Sequence, residues 1–496
     1  MHYKPYLFFL LAFISSLTFG QKDGLRSGHL NRLTQFLSIP NNASKETHVA
    51  ENLEWLNKEF QLLGFTTDVI ENEQPFLLAS KSIAADLPTV LFYMHFDGQP
   101  VDGTKWTQAD PYTPVFKLKK DERSFTTLTN AYALRNHRTE DIRVYARSAS
   151  DDKGPIAMFL SALTELQQRQ DDGAFNMKVI LDSEEEKGSP HLEKLVNKYT
   201  DELRSDYFVV FDGPMHDSGN PTLLYGVRGV SGITMEIYGV NKPQHSGHYG
   251  NYAPNPVFRT SELLASMKDE NGRVLIPKYY DGITISKKTR SILEAVPDNE
   301  KVIRERAGFK NAEQVAVTYQ EAMQYPSLNV RGIRSAWVGN QVRTVVPDKV
   351  IVEMDIRTVP ESHPDTLVNR VKAHIKNQGF TILDRPATKE DLLTIDKPLY
   401  FKYNHYMFPF RTDMDSKIGD WLRKSVGKKS LETVQIRISG GSVPLSFFIN
   451  ALHVPTVLVP LVNPDNNQHS PNENLKLQNY FQGIETIKTI LTTPID

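Results

Sequence analysis

The chain has 496 residues, 40% of them hydrophobic and 23% charged, a balance that fits a soluble globular protein of more than one domain. The formal net charge of -2 gives no electrostatic reason to expect a nucleic-acid partner. Cysteine is absent, which excludes disulfides, thiolate metal sites, a cysteine nucleophile and a lipidated cysteine, so any metal must be held by His, Asp and Glu.

The first twenty residues differ from the rest. Lys4 precedes an apolar run from Tyr6 to Phe19, and Thr18-Phe19-Gly20 places small residues at two cleavage positions. This predicts a secretory signal peptide over 1–20, cut near Gln21. An uncleaved anchor is the alternative, but the run falls short of the ~20 residues a membrane span needs. The destination is then the periplasm or the cell exterior, with no membrane anchor after cleavage.

From Leu30 to Phe65, apolar residues recur at helical spacing and Gly64 closes the pattern. Pro88–Met94 is almost continuously apolar, as a buried parallel strand would be, and runs into His95-Phe96-Asp97. Ile142–Ala146 reads as a strand leading into Asp151-Asp152-Lys153-Gly154-Pro155, where Gly-Pro starts a helix. Met177–Leu181 precedes Glu184-Glu185-Glu186, Tyr207–Phe211 precedes Asp212-Gly213, and Val454–Pro460 precedes a loop with His469.

Strands alternating with helices predict an α/β domain with a mostly parallel sheet. Such sheets bind ligands beyond the carboxyl ends of their strands. Each feature has a plainer reading by itself: Asp caps a helix, three glutamates form a solvated face, Asp-Gly makes a turn. Their common position after strands makes them one constellation.

Between Gly229 and about Tyr403 the pattern changes. Ser231–Tyr238 alternates as a strand, Pro256–Met267 is helical, and a strand is expected near Ser335–Val338. Val350–Ile356 alternates, Thr366–Ile375 is helical, and Phe380–Leu383 is strand-like. This order predicts a ferredoxin-like α+β domain, with a polar, mostly helical insertion at about 269–325. The expected division is a signal peptide at 1–20, a catalytic domain at 21–229 plus 404–496, and a dimerisation or lid domain at 230–403.

His95, Asp151, Glu185, Glu186, Asp212 and His469 together offer nitrogen and oxygen donors suited to two zinc ions. A shared carboxylate would give each metal one His and one further acid. Two neighbouring metals activate water and polarise a carbonyl, and a carboxylate left over serves as general base. The adjacent Glu185 and Glu186 provide that division, one facing metal and the other water. Asp97, two residues after His95, can fix the imidazole tautomer.

Several motifs carry a family resemblance: M-H-F-D (Met94–Asp97), R-S-A-S-D-D-K-G-P (Arg147–Pro155), E-E-K-G-S (Glu185–Ser189), Y-G-V-R-G (Tyr225–Gly229), H-S-G (His245–Gly247), G-G-S-V-P (Gly440–Pro444) and H-S-P-N-E (His469–Glu473). The chain resembles the zinc metallopeptidases with a dimerisation domain, which include carnosinases, aminoacylases, the glutamate-releasing carboxypeptidase and succinyl-diaminopimelate desuccinylase. The carnosinase-like dipeptidase branch is nearest.

The resemblance implies that Asp151 bridges two divalent ions per subunit, zinc foremost, with manganese or cobalt as substitutes. It implies His95 and Asp212 on one ion, Glu186 and His469 on the other, Glu185 as general base and then acid, and Asp97 orienting His95. It further implies a homodimer through the lid domain, with His245 stabilising an oxyanion in the partner's site. Arg357 would grip a substrate carboxylate, and Gly440, Gly441 and Ser442 would line the pocket. The implied activity is metal-dependent hydrolysis of dipeptides or short peptides with a free C-terminal carboxylate. Removal of the acyl group from an N-acyl amino acid is the alternative, and a non-catalytic binding protein is a third reading that the intact ligand set opposes.

Overall fold

The near-continuous apolar runs become the buried middle of a sheet. A computed structural model describes residues 24–70, 75–120, 124–128, 138–427 and 432–495; the expected signal segment lies outside them. The sheet has eight strands in the order Thr66–Ile70, Phe76–Lys81, Asn176–Asp182, Thr89–His95, Tyr207–Val210, Thr456–Leu458, Thr222–Leu224 and Val434–Ile436. The four central strands are mutually parallel, and antiparallel pairs flank them.

These central strands are the ones that the apolar runs predict. Val90–Met94 is fully buried, as a strand covered on both faces must be. The helix Lys153–Gln168 is apolar nearly all round and almost wholly buried. Phe92 packs against Phe159 and Phe211, with ring centroids 5.2 and 5.6 Å away.

Ile142–Tyr145 does not join this sheet. It lies in a four-stranded antiparallel sheet ordered Asn474–Lys476, Ile142–Tyr145, Val115–Lys119 and Phe125–Leu128. Four buried residues in a row fit either environment, so periodicity cannot name the partner. The consequence is that Asp151 comes from an antiparallel edge layer, while His95 and Asp212 come from the parallel sheet.

The chain divides into two compact units. One comprises the described residues up to Tyr225, Thr412–Gln435 and those from Phe447 onward; the other comprises Gly226–Arg411 and Ile436–Ser446. Ile436–Ser446 was expected with the catalytic part. It sits in the second unit because Ser439 N donates to Gly226 O at 2.8 Å and Arg357 Nη1 donates to Ser442 Oγ at 2.8 Å.

The second unit is built on a five-stranded sheet ordered Ser327–Ser335, Lys349–Thr358, Gly229–Tyr238, Pro398–Met407 and Thr381–Leu383. Helices Pro256–Met267 and Pro364–Asn377 bury Leu263, Leu367 and Val371 in one core with Ile233, Met235 and Val352. The strand expected near Ser335–Val338 runs earlier, because Val338 is 82% exposed and the chain turns at Gly339–Gln341. Pro398–Met407 was not anticipated, since its apolar residues mix with Lys402, Asn404 and His405. The 269–325 segment forms short helices at Lys287–Glu294, Glu300–Ala307 and Tyr319–Ala322, and its buried Tyr279 donates to Ser327 O at 3.1 Å. Among the described residues, no helix is long and apolar enough to cross a membrane.

Candidate metal centre

His95 closes the strand Thr89–His95 and is fully buried. Its Nε2 lies 2.9 Å from Asp151 Oδ1. Asp151 Oδ2 in turn lies 2.9 Å from His469 Nε2, which is 3.1 Å from Glu186 Oε2. Asp151 therefore stands between two imidazoles, one on each carboxylate oxygen.

Local backbone sets this up. Asp151 precedes the helix Lys153–Gln168, and its first turn passes so close to Ala149 that a Cβ on Gly154 would meet Ala149 O at 2.1 Å. Only glycine fits there. Glu185 and Glu186 sit in a short 3₁₀ turn, Glu185–Lys187, closed by Gly188 at φ 81. A side chain at Gly188 would strain that left-handed backbone.

Asp97 does more than orient an imidazole. Its Oδ1 lies 3.3 Å from His95 Nδ1 and accepts the Glu185 amide at 3.1 Å, while Oδ2 accepts the Glu186 amide at 3.1 Å. One buried carboxylate thus fixes a histidine ring and the turn that carries both glutamates.

Two donor groups emerge, each with ligand atoms within 4.8 Å of one another: His95, Asp151 and Asp212; and Asp151, Glu186 and His469. Asp151 is common to both. Glu185 belongs to neither.

The electrostatics of the set favour a cation. Burial pushes the Asp212 carboxyl up to about 6, reinforced by the charge of Asp151. Burial also lifts Asp97 to about 6, against the hydrogen bond with His95, and drives Glu185 well above the usual carboxylate range. Burial would raise Asp151 as well, but the bonds to His469 and His95 hold it below its ordinary value. Hydrogen bonds to Asp151 and Glu186 lift His469 to about 10. Crowded acids and imidazoles that hold protons this strongly are a donor set in which a divalent ion replaces protons. Oxygen and nitrogen ligands with no sulfur suit zinc, manganese or cobalt.

The remaining expected residues lie in the second unit. Arg357 Nη1 donates to Ser442 Oγ, and Ser442 Oγ donates to Arg228 O at 2.5 Å. The Arg228 amide donates to Ser439 O and Gly441 O, both at 3.2 Å. Gly440 faces Met323, whose Sδ a Cβ would meet at 3.2 Å.

Arg228 itself escaped sequence reasoning, although it stands in the Y-G-V-R-G motif. It is 8% exposed, its guanidinium donates to Met323 Sδ at 3.7 Å and Ser327 Oγ at 3.4 Å, and it forms no ion pair with a carboxylate among the described residues. Burial and then Arg357 push its pKa down to about 10. A buried cation beside a second guanidinium is stabilised by an anion.

His245 is exposed and lies in the second unit, on the short strand Gln244–His245. Its Nδ1 accepts from Gly247 N at 3.0 Å, which puts the proton of the neutral ring on Nε2.

A family model described as "Peptidase family M20/M25/M40" matches residues 91–493. The human beta-Ala-His dipeptidase is 28% identical over 428 residues, covering 82% of this chain and 75% of that protein. The Cys-Gly metallodipeptidase dug1 of Schizosaccharomyces pombe is 27% identical, covering 94% of this chain and 95% of its own. Among solved structures, the M20 family metallo-carboxypeptidase Sso-CP2 of Sulfolobus solfataricus superposes with a TM-score of 0.73 at 24% identity, over 93% of this chain and 98% of that one.

Proposed function

Because the chain belongs to peptidase family M20/M25/M40, we propose that it hydrolyses the peptide bond of dipeptides or short peptides with a free C-terminal carboxylate. The observation that carries this reading is the pair of donor groups sharing Asp151. The names of the human and fission-yeast relatives describe dipeptidases, which favours a peptide over an N-acyl amino acid as substrate.

His95, Asp151 and Asp212 would hold one divalent ion, and Asp151, Glu186 and His469 the other. Bound there, such ions lower the pKa of water and polarise a carbonyl oxygen. Glu185, left out of both groups, takes a proton from the attacking water and passes it to the departing amine. Asp97 keeps Glu185 in place through its backbone amide. Arg357, with Arg228 as a neighbouring cation, binds the substrate's terminal carboxylate, beside Ser442 and the backbone of Gly440 and Gly441. His245, with its proton on Nε2, would donate to the developing oxyanion in the partner's site.

The reading extends to a homodimer through the second unit. Val330 and Ile333 are exposed on its edge strand and Phe258 on a helix, a combination that a soluble chain covers. It also includes export and loss of 1–20, which the mass of the exported protein measures.

The test is a hydrolysis panel on protein starting at Gln21, with and without chelator. Dipeptides should be cleaved and chelator should stop cleavage. Turnover of N-acyl amino acids alone would make the deacylase reading correct.

A further inference from the structure

The loop that delivers His469 also delivers Glu473, four residues later and fully buried. Both of its oxygens are occupied. Oε2 accepts from Arg147 Nη1 at 2.8 Å and from the Ser148 amide at 2.8 Å. Oε1 accepts the Ser150 amide at 2.9 Å and the Asp151 amide at 3.0 Å. Three of these four donors are backbone groups of the segment that ends in Asp151.

That segment has no regular structure to hold it. It lies between the strand Ile142–Tyr145 and the helix Lys153–Gln168, with Ser148 at φ 60. Its residues are buried, so their amides need partners that neither strand nor helix supplies. Glu473 supplies them from a fixed position: its carbonyl accepts the Ala146 amide at 3.2 Å, and the strand that follows it, Asn474–Lys476, is in register with Ile142–Tyr145. A buried Arg–Glu pair could serve stability alone. Such a pair needs one bond between its partners; here the carboxylate spends most of its capacity on the loop, including the amide of the shared ligand itself.

We infer that Glu473 is a positioning residue that presets the 148–151 loop, so that Asp151 faces both donor groups before any ion binds. This rests on Asp151 being shared between two ions. It links the two flanks of the centre, because one loop brings a ligand, His469, and the cradle for another.

The test measures cobalt(II) affinity by competition with a chromogenic chelator in wild type, Glu473→Gln and the double variant Arg147→Met/Glu473→Gln. The Gln amide turns an NH₂ toward backbone N–H groups that need an acceptor. The double variant removes both charges, so neither is left buried and unpaired. Near-UV circular dichroism reports folding. Both variants should bind cobalt about ten- to a hundredfold more weakly, the scale found for partners that orient metal ligands. A folded double variant that binds within twofold of wild type would overturn the inference. Wild type that binds no cobalt would instead defeat the metal reading on which it rests.

Amide exchange in the wild type needs no variant to fold. The peptide covering 147–152 should exchange slowly in metal-free protein as well as in loaded protein. Rapid exchange on metal removal would mean that the ions, not Glu473, order the loop.

Discussion

Asp97 Oδ1 lies 3.3 Å from His95 Nδ1, and the same carboxylate accepts the amides of Glu185 and Glu186. A ligand imidazole and the turn bearing both glutamates therefore share one support. Asp97→Asn keeps the size but replaces one acceptor oxygen with a donor. The expected outcome is a ten- to hundredfold loss of metal affinity or activity, on the order seen when such supports are removed. Zinc titration of the folded variant checks it, and unchanged affinity together with unchanged turnover would count against the shared support.

Glu185 belongs to neither donor group. Glu185→Ala should retain the metal content of the wild type while turnover falls by about 10²–10⁴, the usual contribution of general acid–base catalysis. Metal analysis alongside steady-state kinetics separates the two effects. Loss of metal with loss of activity would make Glu185 a ligand instead.

Arg357→Met should raise KM with little change in kcat, because a terminal carboxylate is bound equally before and during reaction. Loss of one charged hydrogen-bonded contact of about 1.5–3 kcal/mol corresponds to roughly ten- to a hundredfold in KM. A peptide with an amidated C-terminus should be a poor substrate for wild type and lose little more with the variant. Equal losses on both substrates would remove Arg357 from carboxylate binding.

Away from the centre, buried Glu165 lies 3.1 Å from His29 Nε2 and 2.7 Å from Lys488 Nζ. The bond to His29, then burial opposing it, and the bond to Lys488 leave its pKa at about 2 rather than 4.5. A carboxyl depressed in the folded state stabilises the protein above its unfolded pKa, and that stabilisation fades as pH falls through the folded value. Glu165→Gln should therefore lose about 2 kcal/mol at neutral pH, where a buried charged partner is removed. The gap to wild type should narrow between pH 4.5 and about 2. Urea titrations of metal-free protein at several pH values measure it; a gap constant across that range would deny the linkage.

What the sequence discloses and what it hides follow from range. The four central strands are legible because burial on both faces leaves continuous apolar runs, and His95, Glu185, Glu186 and Asp212 stand at the ends of those runs or within a few residues of them. The strand Pro398–Met407 is not legible, because its environment varies along its length. The partner of Ile142–Tyr145 is hidden too, since a short buried strand looks alike in either sheet. Arg228 and Glu473 both stand inside quoted motifs, yet their importance depends on contacts 95 or more positions away: Met323 and Ser327 for one, Arg147 and the 148–151 amides for the other. Residue type suggests donors and acceptors, but only the fold shows which are satisfied.

The central claim is that Asp151 is shared by two ions whose presence permits peptide hydrolysis. The most direct measurement strips the protein of metal, then follows dipeptide hydrolysis while zinc is returned stepwise. Activity should be absent in the stripped protein and return in full as zinc approaches two equivalents per chain. Hydrolysis that persists after metal is removed, or recovery that is complete at one equivalent, would contradict the account.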